Sequence, residues 1–71
     1  MIERGDVMIR CLPGNEFLVA LAVTLKTLEG PFTTFADALE TARLFVAPGR
    51  NIWVEDLDER DRPLGPPFRV A

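Results

Sequence analysis

The stretch from Phe32 to Val46, FTTFADALETARLFV, constrains the fold of this chain more than any other. Thr34 is the expected N-cap, and Asp37 follows in the first turn, where a carboxylate favours the positive end of the helix dipole. Pro48 should end the helix at Val46, because proline disfavours the helical conformation in the residue before it. The apolar residues recur at helical spacing and form a single stripe, made of Phe35, Ala38, Leu39, Ala42, Phe45 and Val46.

Segments typical of β-strands flank this helix and can bury its apolar stripe. Val7 to Leu12 alternates in strand fashion, and Pro13-Gly14 after it suits a tight turn that leads into a hairpin. Beyond the helix, Ile52 to Leu57 predicts a third strand and Arg62 to Val70 a last one. The last strand should lie at an edge of the sheet, because each of its three prolines removes a ladder donor.

The segment from Phe17 to Leu28 fits two templates. As a helix it would have Asn15 as N-cap and Gly30 near its C-cap. We favour a strand, because the preceding turn predicts a hairpin and the segment contains four β-branched residues. As a strand it places one set of small or apolar side chains on the face opposite the helix, namely Leu18, Ala20 and Ala22. Gly30-Pro31 then breaks the chain before the helix.

These elements predict an α+β fold of order β-β-α-β-β. We expect a four-stranded, mainly antiparallel sheet with one helix packed on one face. A chain of 71 residues is one domain, residues 1–71, and the polar lead-in 1–6 is expected to be frayed.

The residue inventory argues against an enzyme. The chain has no histidine, serine or tyrosine, and Cys11 is its only cysteine, in an apolar strand without a neighbouring base. We therefore expect no catalytic residue, no metal site and no cofactor. Asp56 and Asp58 have the spacing of the first two ligands of a calcium loop, but Arg60 occupies the third position. This acidic stretch is expected to be a solvated turn.

Charge and hydropathy argue against nucleic-acid and membrane partners. The net charge is −3, and the seven arginines are scattered rather than arranged in a stripe. The longest apolar run, Phe17 to Val23, is far shorter than the ~20 residues that span a bilayer. The N-terminus lacks the pattern of a secretory signal, so we expect a cytoplasmic protein. Arg60, Pro63 and Pro66 have the spacing of a polyproline ligand, yet we expect the segment to serve as the edge strand.

After these functions have been argued against, a protein-binding surface is the remaining candidate for function. A domain of this size has a thin core and gains stability from an oligomer. The sheet face opposite the helix is predicted to be apolar, and burial at roughly 25 cal/mol per Å² would stabilise the protein further. We therefore expect a homodimer, or a complex with another protein, through this face. The candidate interface residues are Leu18, Ala20, Ala22, Trp53 and Leu57.

The chain also resembles known sequences. A hairpin is followed by G-P-F-x-[ST]-F-x-[DE]-A-L-x-x-A-R at Gly30 to Arg43, and then by I-W-V-E and R-P-L-G. This pattern resembles small uncharacterised bacterial domains of unknown function, which implies the fold and no active site. A looser resemblance, through the T-x-x-[DE]-A entry to the helix, is to HicB-type antitoxins. The sequence thus favours a non-catalytic protein-interaction module, with an antitoxin-like regulator of nucleic acid or of a toxin as the alternative.

Overall fold

Five strands and one helix make up the chain, one strand more than the sequence predicts. The computed structural model describes every residue from Met1 to Ala71. The elements in chain order are β1 (Val7–Leu12), β2 (Glu16–Leu21), β3 (Thr27–Phe32), α1 (Phe35–Phe45), β4 (Ile52–Asp56) and β5 (Phe68–Arg69). The α+β class and the single helix on one face of a sheet are confirmed.

The predicted second strand is in fact two. The chain reverses after Leu21 and returns as β3, antiparallel to β2. At this reversal, Leu25 adopts a positive φ of 62° and its N–H donates to the carbonyl of Leu21 over 2.8 Å. Gly30-Pro31, predicted as a break, lies inside β3. The prediction of one continuous strand was wrong because a turn at Leu25 has none of the glycine, proline or asparagine signals that normally mark one.

The sheet has the order β3-β2-β1-β4-β5 and is mixed rather than purely antiparallel. β1 pairs with β2 in the hairpin predicted at Pro13-Gly14, where Gly14 and Asn15 both have positive φ. β1 also pairs in parallel with β4, while β2–β3 and β4–β5 are antiparallel. β1 is therefore the central strand, and it brings together residues from the two halves of the chain.

α1 packs across β1, β2 and β3 through two alanines. Ala38 and Ala42 are fully buried, and small side chains allow the helix to approach the sheet closely. The Thr34 hydroxyl accepts a hydrogen bond from the N–H of Asp37 over 3.2 Å, which confirms the predicted N-cap. The core between helix and sheet consists of Val7, Ile9, Val19, Ala38, Ala42, Ile52 and Val54.

The C-terminal segment reaches the edge of the sheet only briefly. The predicted strand Arg62–Val70 forms two-residue β5, together with a single bridge between Leu57 and Pro63. The intervening Pro66-Pro67 has no N–H to donate, which keeps this strand short and confirms its place at an edge. α1, the only helix, has 11 residues and has neither the length nor the hydropathy that a membrane span requires.

Candidate functional site: the sheet face without a helix

The sheet face opposite α1 is the candidate site, and we call it the uncovered face. Residues two apart on a strand share a face, and direct partners on neighbouring strands share it too. Register therefore places two central rows of side chains across it, with the pair Leu12 and Glu16 beyond them at the hairpin end. One row is Ala20, Met8, Trp53 and Arg69, and the other is Leu18, Arg10 and Glu55.

Neighbouring side chains already bury part of the apolar surface of the uncovered face within the monomer. Met8 is 1% exposed and Ala20 is fully buried, although no helix lies over them. Register seats Met8 directly between Ala20 and Trp53, and neighbours in such a row lie close enough to pack. The larger side chains of the face therefore shield the smaller ones.

The five predicted interface residues divide into two groups. Ala20, Ala22 and Leu57 are at most 5% exposed, so their side chains already belong to the monomer's own packing. Leu18 and Trp53 are half-buried and remain accessible. The accessible apolar part of the uncovered face is thus narrower than the sequence pattern suggests, and it includes Leu18, Trp53 and the partly buried Leu12 at the end of β1.

The Trp53 indole is tied to a buried carboxylate. Its Nε1–H donates to Asp6 Oδ2 over 3.0 Å. The same oxygen accepts from the N–H of Glu3 over 2.9 Å, and Oδ1 accepts from the N–H of Asn51 over 2.7 Å. Asp6 is 1% exposed and joins the N-terminal turn, the start of β4 and the tryptophan. Sequence reasoning placed Asp6 in a frayed lead-in, and in this the prediction was wrong.

The environment of Asp6 stabilises its charged form. Burial raises the pKa of this carboxyl group, because a charge is costly away from water. The three hydrogen bonds, together with the nearby guanidinium of Arg50, outweigh that effect and hold the pKa of Asp6 below its ordinary value. Asp6 is therefore ionised at neutral pH and accepts only.

An ion pair lies across the middle of the uncovered face. Arg10 and Glu55 are register partners on β1 and β4, and Arg10 Nε lies 2.7 Å from Glu55 Oε2. The two side chains are 16% and 5% exposed. The only cation at the centre of the face is thus neutralised by its neighbour. Sequence alternation places Arg10 and Glu55 on this side of their strands, but only the parallel register brings them together.

Cys11 is poorly suited to act as a nucleophile. Burial raises the pKa of its thiol to about 11, and the negative charges of Asp56 and Glu55 add to the effect. A thiolate is the reactive form, so the thiol is largely unreactive at neutral pH. It packs instead at the margin of the core.

Two further features have local structural explanations. Asp58 Oδ1 accepts from the N–H groups of Arg60 and Arg62, over 2.8 and 2.9 Å, so the acidic turn is held by its own backbone. A pocket of about 250 Å³ opens at the end of the sheet beside Asp6 and Arg4. The Asp6 oxygens that border it are already occupied by hydrogen bonds.

Comparison with protein-family models, with curated proteins and with solved structures finds no match to this chain.

Proposed function

We propose that this chain is a non-catalytic protein-interaction module that forms a homodimer through the uncovered face. The observation that carries the proposal is the arrangement of Leu18 and Trp53, two partly buried but accessible apolar side chains in adjacent rows of a face that no helix covers. Tryptophan is among the residues most enriched at interface hot spots, where it provides a large apolar area with one polar handle.

The Arg10–Glu55 ion pair favours a protein partner over nucleic acid. Binding to a phosphate backbone depends on cations that are free to displace counterions. Arg10 already has a carboxylate 2.7 Å away, and that carboxylate would repel a phosphate. A neutralised pair between apolar side chains is instead compatible with burial against another protein surface.

A second copy is the partner that fits best, because the edges of the sheet are poor sites for strand addition. β3 contains Pro31, and β5 is two residues long and follows Pro66-Pro67. Since strand addition at either edge is unfavourable, we expect two copies to associate through the uncovered face. A two-fold axis would bring the same surface of both copies together. The reduced Cys11 is in keeping with the cytoplasm as the site of this assembly.

The area of the uncovered face sets the expected affinity of the dimer. Five strands of up to six residues cover roughly 20 Å in each direction, or about 400 Å² on each copy and about 800 Å² in total, which is below the range for stable complexes and within that of weak, transient ones. We therefore expect a dimer that dissociates on dilution. Sedimentation velocity over a concentration series tests this: the weight-average mass should rise toward twice the chain mass, and a constant monomer mass up to high micromolar concentration would refute the proposal.

A further inference from the structure

We propose that Asp6 is the positioning residue of the uncovered face, holding the Trp53 indole in the orientation that a second copy recognises. This inference rests on the proposed function and goes beyond it. It states that Asp6, which does not itself contact the second copy, raises the affinity of the dimer by holding Trp53. The geometry of the Asp6 carboxylate carries it.

Backbone hydrogen bonds hold the Asp6 carboxylate in place independently of Trp53. Asn51 and Glu3 donate backbone N–H groups to its two oxygens over 2.7 and 2.9 Å. Backbone donors from two separate segments leave the group little freedom to rotate. The position of Oδ2 is therefore set by the fold and not by the indole.

Trp53 is the one side chain that donates to this carboxylate. Indole has a single donor, so a bond from Nε1 at 3.0 Å fixes which way the ring points across the face. The charged groups around Asp6 do not compete for it. Arg50 is paired with Glu3 Oε2 over 2.8 Å, and Arg4 is exposed at the rim of the adjacent pocket.

A fixed aromatic anchor binds more tightly than a mobile one. Immobilising a side chain on binding costs an amount that corresponds to roughly 2- to 10-fold in affinity. Asp6 removes this cost in advance, because the indole is already held in the free chain. An asparagine at this position has one acceptor oxygen, so it cannot accept from Asn51 on one side and from Glu3 and Trp53 on the other, and its NH2 group must face at least one of these donors.

The test is a double-mutant cycle on the dimer dissociation constant, measured by sedimentation equilibrium with D6N, W53F and the double variant. We expect D6N and W53F each to weaken the dimer by roughly 2- to 10-fold or more, and D6N to have no further effect in the W53F background. Circular dichroism should show the same fold in each. If D6N does not fold, W53F, which leaves the backbone contacts of Asp6 in place, must still weaken the dimer.

Two results would overturn the inference. Dimers of D6N as tight as those of the wild type would show that the carboxylate does not position the anchor. An equal effect of D6N with and without the indole nitrogen would show that Asp6 acts by another route. A wild-type protein that stays monomeric would instead refute the proposed function itself, so the two failures are distinguishable.

Discussion

The indole Nε1 of Trp53 lies 3.0 Å from Asp6 Oδ2 and joins two residues that are 47 positions apart in sequence. The parallel pairing of β1 with β4 makes this possible, because it sets Trp53 beside Met8, two residues after Asp6 on the same face. The buried carboxylate and the accessible tryptophan therefore form one unit, and the stability of the fold and the shape of the uncovered face are linked through it.

The ionisation of Asp6 should make stability depend on pH in the acid range. Because its pKa in the folded chain is below the ordinary value of 3.8, its contribution is complete above that pH and is lost as the pH falls through the lower folded value. We expect D6N to lower the free energy of unfolding by roughly 1.5–3 kcal/mol at neutral pH, and the difference from wild type to shrink below about pH 4. Urea denaturation at several pH values measures this.

The matched control is D61N, which changes an exposed carboxylate that accepts no side-chain hydrogen bond. Asparagine tolerates the positive φ of Asp61, so this variant should stay within about 0.5 kcal/mol of wild type. A difference between D6N and wild type that is independent of pH would contradict the account of Asp6.

Breaking the Arg10–Glu55 pair from one side should destabilise the chain more than removing both partners. R10A leaves a carboxylate that is 5% exposed without its partner, and we expect a loss of about 2–3 kcal/mol. The double variant R10M/E55M leaves no buried charge and should lose less. Thermal or urea denaturation of both variants measures these changes. If the pair were solvated and contributed no stability, R10A would be as stable as wild type.

Gly30 should be among the least replaceable residues. Its φ is +123°, and an added Cβ would lie 3.0 Å from both Leu18 Cδ2 and the carbonyl oxygen of Phe17. We expect G30A to cost about 2–3 kcal/mol, because the backbone strain and the contact with Leu18 add together. G65A is the control, since a Cβ there meets nothing within 4 Å and should change stability by less than about 0.5 kcal/mol. Equal effects would contradict the packing of Leu18 over this glycine.

The Cys11 thiol should react slowly in the folded protein. Its pKa is raised to about 11 from 9.0, so the thiolate fraction at mildly alkaline pH is about 100-fold lower than for an unperturbed thiol. We expect alkylation by iodoacetamide at pH 8 to be slower by at least that factor than in denaturant, as followed by mass spectrometry. Comparable rates in the two states would show that the burial and the acidic neighbours do not control the thiol.

Local patterns predict the helix, its cap and the first hairpin. The Thr34 cap, the apolar stripe of α1 and the hairpin at Pro13-Gly14 each depend on residues within a few positions of one another. The cap and the hairpin are confirmed, and the stripe packs on the sheet except for Phe45, which is 44% exposed at the end of the helix. The edge position of the C-terminal strand also follows from its prolines.

Pairings between distant residues could not be predicted in this way. The bond between Asp6 and Trp53 and the ion pair between Arg10 and Glu55 both require the parallel register of β1 and β4, which neither strand encodes alone. The division of the Phe17–Leu28 segment depends on a positive φ at Leu25, where the residue type gives no signal. These same non-local features define the candidate site. The sequence therefore predicted which face of the sheet carries the site, but not the hydrogen bond and the ion pair on that face.

Association of two copies through the uncovered face can be tested by comparing L18K with L44K in sedimentation equilibrium. Leu18 is half-buried on that face, whereas Leu44 is 82% exposed on the outer side of α1. We expect wild type and L44K to form dimers at high micromolar concentration, whereas L18K should retain its circular dichroism spectrum and sediment as a monomer. A dimer that persists in L18K, or a wild type that is monomeric under the same conditions, would contradict this expectation.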